Sequence, residues 1–361
     1  MSKMENMEIN NIIGKNLKRV RLLRNLSLND AGKLLNMSAT AIAKYENGEI
    51  SIDSKKIIDF ANAYSVKTTY LLKCYKMPEI KFSSFRKKKR LTGQNLELLK
   101  ELIQIEIAKY IEVLELNNIS YNHSINLKKY LCTNMSDAEN AANKFREFIK
   151  ISDKQPISDL VNILENLGFI IIQIPNINNK FDDFDGLCEV VNGYPIIVLL
   201  NNIKDGGRQR FTISHELGHL LLNIKSLEID EEKLCHRFAS AFLMPENATI
   251  NEFGSIRNAI SLYELSVFKN EFKVSYPAIL YRLKDLNIIN DYLYRKLSIY
   301  INSKVLKGGK DSFPVATEKS FQFERLVYKL QSNDIISINK ACELLGVSVD
   351  EYNKKNIIIW F

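Results

Sequence analysis

Two histidines four residues apart, with a glutamate between them, are the residues of this sequence best suited to chemistry. They lie within Arg208–Leu222 as His215-Glu216-x-x-His219. On a helix, side chains four positions apart project from one face about 6 Å apart, so one small cation can bridge both imidazoles with the glutamate beside it as a candidate general base. The surrounding apolar residues predict a buried helix, where an imidazole needs a partner or a metal. Because the chain has only 4 histidines, this spacing favours a zinc hydrolase site over two unrelated core histidines.

A third protein ligand is expected from the acidic stretch that follows His219. The next predicted helix carries Glu231 and Glu232 one turn before its apolar packing stripe, and either carboxylate could reach the cation. His236, one turn after Glu232, is a further candidate ligand or a group hydrogen-bonded to a ligand. The residue pattern alone leaves these alternatives open.

The first 72 residues predict five short helices. Ser27 and Ser38 stand at the N-cap positions of the second and third, Leu28–Leu35 and Ala39–Asn47. Only three residues separate these two helices, and Asn36 is suited to the left-handed conformation that such a tight turn needs. This spacing is typical of a helix-turn-helix.

The composition is that of a soluble globular protein of about two or three domains: 46% of residues are hydrophobic and 25% are charged. The N-terminus is polar and the longest apolar runs are far too short to span a membrane, which predicts a cytoplasmic protein with no membrane association. The 5 scattered cysteines, without a Cys-x-x-Cys pair, indicate buried thiols in a reducing compartment. The formal net charge of +8 favours nucleic acid as a partner where the charge clusters. Lys81–Arg90 is such a cluster, either a linker that follows DNA or a solvated run of charge.

The N-terminal segment resembles the XRE-type repressor helix-turn-helix family. The resemblance rests on the stretch Leu26–Gly32 and on Tyr45-Glu46-Asn47-Gly48; it departs at Gly32, where alanine is usual, and at Asn36, where glycine is usual, both sterically tolerable changes. In this family the start of the recognition helix reads base edges in the major groove of an operator, and the proteins bind as dimers. The resemblance therefore implies double-stranded DNA as partner, a homodimer, and these DNA-binding residues: Asn29, Ser38, Ala39, Thr40, Ala41 and Lys44. The alternatives are a solvated face of small residues on an ordinary helical bundle, or a helix-turn-helix that is used only for dimerisation.

The segment around the two histidines resembles the ImmA/IrrE family of metallopeptidases. The resemblance is carried by Arg-x-Arg-Phe-Thr-x-x-His-Glu-x-Gly-His and, after a short acidic loop, by Glu-x-x-Cys-x-x-Phe-Ala-x-x-Phe-Leu-Met-Pro. It implies that His215, His219 and Glu232 hold Zn²⁺ and that Glu216 is catalytic. It also places His236 where asparagine is usual, which leaves open whether His236 joins the metal shell or stands behind it. Fusion to an XRE domain is a recurrent architecture of bacterial and prophage regulators.

These two resemblances together predict a DNA-binding transcriptional regulator with a zinc-dependent metallopeptidase domain that cleaves a repressor or antitoxin-like protein. One alternative is a non-proteolytic transcription factor whose metallopeptidase-like domain senses a ligand or a metal. Another is an antitoxin that binds a toxin through its C-terminal half. The intact His-Glu-x-x-His pattern favours catalysis, because a sensor does not need the general base.

The expected fold is mainly α with a small antiparallel sheet, an α+β chain. A long buried helix is predicted at Leu96–Leu116. A tight hairpin is predicted at Val191-Asn192-Gly193-Tyr194, just before the helix that carries His215 and His219, here called the metal helix. Arg282 is expected to face away from the apolar side of its helix, and Ser337–Ser348 reads as half of a second helix-turn-helix that packs or dimerises rather than reads DNA. Four regions are predicted: a helix-turn-helix domain (1–73), a basic linker and helical connector (74–135), an ImmA/IrrE-like metallopeptidase domain (136–290) and a helical C-terminal domain (291–361).

Overall fold

The computed structural model of the chain describes residues 3–24, 26–73, 78, 80, 93–119, 127, 129–225, 230–306 and 314–355. The basic stretch Lys81–Arg90 lies outside the described residues, as does His123. The chain forms two compact units: residues 1–78, 90–109 and 177–181 make the first, and the remaining residues make the second. No helix among the described residues is long and apolar enough to cross a membrane.

The first unit contains the five predicted N-terminal helices. Side chains of Ser27, Ser38 and Asp53 accept hydrogen bonds from backbone N–H groups of the helices they cap, which explains where these helices begin. Asn36 adopts the left-handed conformation, with φ 50° and ψ 46°, so the prediction of a tight turn is confirmed. The helices are α1 (Lys3–Leu23), α2 (Leu28–Leu35), α3 (Ala39–Glu46), α4 (Ser54–Ala63) and α5 (Thr68–Leu71).

A buried ion pair joins the first helix of this unit to the third. The guanidinium of Arg21 donates to both carboxylate oxygens of Glu46 at 2.5 and 2.8 Å. Around it lies an apolar cluster that includes Leu17, Ile42 and Phe60. This bidentate ion pair restricts how α1 and α3 are oriented relative to each other.

Gly32 has no Cβ atom, so α2 lies closer to the following turn than a larger residue at this position would allow. A Cβ added at Gly32 would lie 2.5 Å from the carbonyl oxygen of Met37, and the Met37 N–H donates to the Gly32 carbonyl at 2.8 Å. Alanine at this position would therefore clash with backbone. The departure at Gly32 is a steric requirement of this turn.

The long predicted helix is α6 (Gly93–Leu116). Within the first unit, its acidic residues face the basic side of α1: Lys18 pairs with Glu97 at 2.6 Å, and the buried Arg19 pairs with Glu101 at 2.9 Å. The sequence predicted the burial of this helix from its apolar pattern. The ion pairs show that acidic side chains of α6 bind basic side chains of α1.

The second unit is built around a three-stranded sheet of order β2-β4-β3. The hairpin β3–β4 is antiparallel as predicted, and its turn residues Asn192 and Gly193 have φ of 51° and 85°, as a type I′ turn requires. Strand β2 pairs with β4 in parallel, so the sheet is mixed. The strands are β2 (Ile170–Ile174), β3 (Leu187–Val191) and β4 (Tyr194–Leu200).

A second, two-stranded parallel sheet was not predicted. It joins β1 (Tyr130–Cys132) to β5 (Leu222–Ile224). β1 lies in a polar stretch and has only three residues, too few to give an alternating strand pattern in the sequence. β5 directly follows the metal helix. The small sheet therefore anchors the end of that helix.

Helices cover these sheets. α8 begins at Leu160 because the Asp159 side chain caps it by accepting from the Asn162 N–H. Up to residue 306 the helices of this unit are α7 (Met135–Phe148), α8 (Leu160–Asn166), α9 (Gly206–Leu221), α10 (Glu231–Leu243), α11 (Glu246–Phe253), α12 (Leu262–Phe272), α13 (Tyr276–Asp285) and α14 (Asp291–Tyr300), with a π-helical turn at Ile301–Leu306. A 3-10 turn at Ile177–Asn179 belongs to the first unit.

Arg282 corrects one expectation, because it is fully buried rather than exposed. Its guanidinium donates to both carboxylate oxygens of Glu139 at 2.8 and 2.5 Å, and to the carbonyl of Met244 at 2.8 Å. Arg237 contacts the same carboxylate at 2.7 Å. Glu139 of α7 therefore joins α10 to α13, and two arginines outweigh burial and hold the pKa of its carboxyl below the ordinary value.

The C-terminal part repeats the local geometry of the first helix-turn-helix. The helices are α15 (Gln322–Ser332), α16 (Ile338–Leu345) and α17 (Val349–Lys355). Between α16 and α17, Gly346 is left-handed with φ 68°, and the Ser348 hydroxyl accepts from Glu351 N–H at 3.2 Å. The predicted helix, turn and cap are thus confirmed. The role of this element in packing or dimerisation stays a prediction.

Candidate metal centre and nucleic-acid face

The start of α9 is fixed by close backbone contacts on two sides. Asp205 caps the helix by accepting from the Gly207 N–H at 2.8 Å. A Cβ at Gly206 would lie 2.0 Å from the Ala316 carbonyl oxygen, and one at Gly207 would lie 2.5 Å from the Ser275 nitrogen. The helix that carries the two histidines is therefore held in one position at its N-terminus.

Three predicted site residues converge at the crossing of α9 and α10. The Nε2 atoms of His215 and His219 are 3.2 Å apart. The carboxylate of Glu232 lies 3.0 Å from the first nitrogen and 3.5 Å from the second. Two imidazole nitrogens and one carboxylate form a donor set of the kind that zinc uses in catalytic sites. The residues present therefore fit the metal that the sequence predicts.

Close packing of the two helices makes this convergence possible. A Cβ at Gly218 would lie 3.3 Å from Cα of Cys235, so the helices touch between the two histidines. Asp230 caps α10 and places Glu231 and Glu232 in its first turn, against α9.

Glu231 and Glu232 contact different atoms. The carboxylate of Glu231 lies 2.8 Å from Nδ1 of His219, whereas Glu232 faces the two Nε2 atoms. A carboxylate on the outer ring nitrogen is the usual way in which a metal-binding histidine is oriented. The Nδ1 atom of His215 is buried without a hydrogen-bond partner among the described residues.

His236 lies inside the cluster rather than behind it. One donor atom from each of His215, Glu232 and His236 can be chosen so that all three lie within 4.8 Å of one another. The His236 ring is 4.4 Å from the ring of His215 and stacks on Phe211 at 5.6 Å with an interplanar angle of 26°. His215 and Glu232 thus belong to two overlapping sets of donors, one completed by His219 and the other by His236.

The glutamate between the two histidines is shielded from solvent. Glu216 is 2% exposed, and a Cβ at Gly186 would lie 3.1 Å from its Oε1 atom. Gly186 immediately precedes β3, and the sequence pattern does not single it out. Its importance arises only from the fold, which brings the loop before β3 against the middle of α9.

Hydrogen bonds and burial shift the pKa values of the side chains in this cluster. Hydrogen bonds to His215 and His219 hold the pKa of the Glu232 carboxyl far below its ordinary value. Burial raises the pKa of the Cys235 thiol, which stays protonated at neutral pH. Burial opposes protonation of His219, but hydrogen bonds to Cys235 and Glu232 outweigh it and raise its pKa.

Arg210 of α9 is a further functional element that the sequence did not explain. It is fully buried and donates to the Ile157 carbonyl at 2.8 Å. Its guanidinium also forms a short ion pair with Glu318, 108 residues away in the chain. No local pattern signals this partner, because Glu318 lies in an extended segment before α15.

The residues predicted to read DNA lie on α2, on α3 and in the turn between them, and none of them is buried. Asn29, Ser38, Thr40 and Lys44 are exposed, while Ala39 and Ala41 are half-buried. An open depression between α2 and α3 is lined by Asn29, Lys33, Ser38 and Ala39, among others. Ser38 also caps α3, since its hydroxyl accepts from the Ala41 N–H at 3.1 Å. This arrangement of small, polar and basic side chains is suited to a DNA groove.

Two protein-family models match parts of the chain. A peptidase M78 model, described as an IrrE N-terminal-like domain, matches residues 166–284, which include every donor of the cluster. A model described as helix-turn-helix matches residues 17–71. The chain therefore fuses an XRE-type helix-turn-helix domain to an IrrE-like metallopeptidase domain. A comparison with curated proteins found no match.

Proposed function

We propose that this protein is a DNA-binding transcriptional regulator whose metallopeptidase domain cleaves a protein partner, a repressor or an antitoxin-like protein. The observation that carries the proposal is the convergence of His215, His219 and Glu232, with Nε2 to Nε2 and Nε2 to carboxylate distances of 3.2 and 3.0 Å. The domain pairing supports the regulatory part, since one chain holds both a helix-turn-helix domain and an IrrE-like domain of a peptidase family.

In this proposal His215, His219 and Glu232 hold Zn²⁺, and Glu231 orients His219 through Nδ1. A zinc ion bound there supplies Lewis-acid polarisation of the scissile carbonyl and acidifies the attacking water. Glu216 accepts the proton of that water and returns it to the leaving amine. Gly186 and the surrounding backbone shield Glu216 from solvent, which keeps competing hydrogen bonds to bulk water away from its carboxylate.

The DNA-binding part of the proposal assigns Asn29 and Ser38 to backbone contacts near phosphate. Ala39, Thr40 and Ala41 offer methyl groups to thymine, and Lys44 reaches a guanine or a phosphate. We propose that the protein binds two half-sites as a homodimer, as helix-turn-helix repressors do.

The test compares the wild-type protein with Glu216→Gln and Glu232→Ala. Metal content is measured by mass spectrometry, and cleavage by labelling new N-termini after incubation with a lysate of the native host. We expect about one zinc per chain in the wild type and in Glu216→Gln, loss of zinc in Glu232→Ala, and new termini with the wild type alone.

The alternative function is a sensor without turnover, and the position of His236 near the donors favours it, because an added protein ligand would obstruct the substrate. Zinc binding with no new termini in any lysate, together with intact DNA binding, would replace the peptidase proposal by the sensor. Wild-type protein without metal at neutral pH would refute both.

A further inference from the structure

The metal cluster is built from two matched pairs of side chains on two crossing helices. His215 and His219 are four residues apart on α9, and Glu232 and His236 are four residues apart on α10. Side chains at this spacing share one helix face. Because the two helices pack at Gly218 and Cys235, both pairs point into the same space.

His236 borders the same two residues that contact His219. Its candidate ligand nitrogen lies within 4.8 Å of donor atoms on both His215 and Glu232. Those two residues are also the ones in contact with His219, at 3.2 and 3.5 Å. His219 and His236 therefore both lie beside the pair formed by His215 and Glu232.

The ring of His236 is held in place from the side. It stacks on Phe211, which stands one helical turn before His215 on α9. The side chains of His215 and His219 are only 12% and 15% exposed, whereas residue His236 is exposed. His236 therefore stands on the solvent side of the cluster, where a substrate carbonyl has to enter.

We propose that His236 is a fourth protein ligand, which closes the metal site and keeps the protein latent until a substrate or partner displaces it. Zinc sites with three protein ligands keep an open position for chemistry, whereas sites with four are closed. The inference rests on the proposed metal site and specifies how that site is regulated. Displacement requires only rotation of one exposed side chain away from Phe211, and the other three ligands stay in place.

The experiment counts imidazole ligands directly. Zinc-loaded full-length wild type, His236→Asn and the control His123→Gln are compared by zinc-edge X-ray absorption. We expect three imidazoles in the wild type and in His123→Gln, and two in His236→Asn. Zinc affinity, measured by competition with a chromophoric chelator, should fall at least about tenfold in His236→Asn, since even losing an outer partner of a ligand costs that much.

Access to the open position gives a second readout that does not depend on activity. The cobalt-substituted proteins are titrated with azide and followed by visible absorption. We expect azide to change the spectrum of His236→Asn and to leave that of the wild type unchanged. A His236→Cys variant, which restores a fourth ligand of different chemistry, should again exclude azide.

The outcomes separate this inference from the proposed function. Two imidazoles in both wild type and His236→Asn, with equal zinc affinity and equal azide binding, would overturn the fourth ligand and leave the three-ligand site standing. Failure of all variants to bind zinc, with circular dichroism showing a folded protein, would refute the metal site itself and the latency with it.

Discussion

Gly32 is a residue at which one methyl group decides the fit of two helices. We predict that Gly32→Ala destabilises the first unit by about 1–3 kcal/mol, the usual cost of forcing an added methylene into a packed site. The cause is the 2.5 Å approach of the new Cβ to the Met37 carbonyl oxygen. Urea unfolding, followed by circular dichroism, measures the change.

The matched control for this prediction is Gly93→Ala, because nothing lies within 4 Å of a Cβ at Gly93. Alanine there should be neutral or slightly stabilising, since glycine is a poor helix former. Equal effects of the two substitutions would show that the close approach at Gly32 carries no energetic weight.

Glu139 supplies a prediction about pH. Contacts with Arg282 and Arg237 lower the pKa of its carboxyl in the folded protein, so its stabilising effect is fully present above the ordinary carboxyl pKa and is lost as the pH falls through the folded-state value. We expect Glu139→Gln to destabilise the protein by about 3–5 kcal/mol at neutral pH, because the buried Arg282 loses its counterion, while Arg237 is left with Asp285.

The measurement is thermal unfolding from neutral to acidic pH. The gap between wild type and Glu139→Gln should shrink on the acidic side, where the wild-type carboxyl also becomes protonated. A gap that stays constant over the whole range would contradict the ionised state of Glu139.

At the scale of elements, the segment that carries Glu318 acts as a brace for the metal helix. The Gly206 N–H donates to the Val315 carbonyl at 2.9 Å, and the Gln209 amide exchanges two hydrogen bonds with the Glu318 backbone at 2.7 and 2.9 Å. The Glu318 carboxylate pairs with the buried Arg210 and accepts from the Val161 N–H at 2.8 Å. One residue thus satisfies polar groups from α8 and α9.

We predict that Glu318→Gln costs about 3–5 kcal/mol, because it leaves the Arg210 charge buried without a counterion. Amide hydrogen exchange should become faster in the first turns of α9 before it does in β4. The exposed Glu115 is the control, since Glu115→Gln removes a surface charge and should change stability by less than about 0.5 kcal/mol. Unchanged exchange in α9 would refute the bracing role.

The sequence predicted the elements whose signals are local. The N-caps Ser27 and Ser38, the left-handed Asn36 and the Asn192-Gly193 turn depend on neighbouring residues, so they can be read directly. The parallel pairing of β2 with β4, the β1–β5 sheet and the Arg210–Glu318 pair connect distant segments, for which a single sequence has no local signature.

The candidate site divides in the same way. The spacing of His215 and His219 identified one pair of donors, but it could not distinguish the contacts of Glu231 from those of Glu232. That distinction depends on the crossing of α9 and α10. The spacing of the histidines also gave no indication that Gly186 lies against Glu216. The loop that carries Gly186 reaches α9 only once the sheet has folded.

At the scale of the whole molecule, the donors of the metal cluster belong to the second unit and the predicted DNA-reading residues to the first. We predict that removal of metal by a chelator lowers the unfolding temperature of the second unit, because a ligand bound only to the folded state stabilises it by about 2.7 kcal/mol at a hundredfold excess over its Kd. The unfolding temperature of the first unit should not change beyond experimental error.

Differential scanning calorimetry with and without EDTA, followed by addition of zinc, measures this effect. Glu232→Ala is the control, since its thermogram should not respond to zinc. A zinc response in Glu232→Ala as large as in the wild type would show that the stabilising ion binds elsewhere.

The ion pair between Arg210 and Glu318 sets an order of events during synthesis. Domains fold as units from the N-terminus while the chain emerges from the ribosome, so α1 to α5 are available early. The metal helix stays incomplete until residue 318, 108 positions after Arg210, has been translated, because before then a buried guanidinium lacks its carboxylate. A nascent chain shorter than 318 residues therefore holds a complete helix-turn-helix, while α9 still lacks the carboxylate that pairs with Arg210.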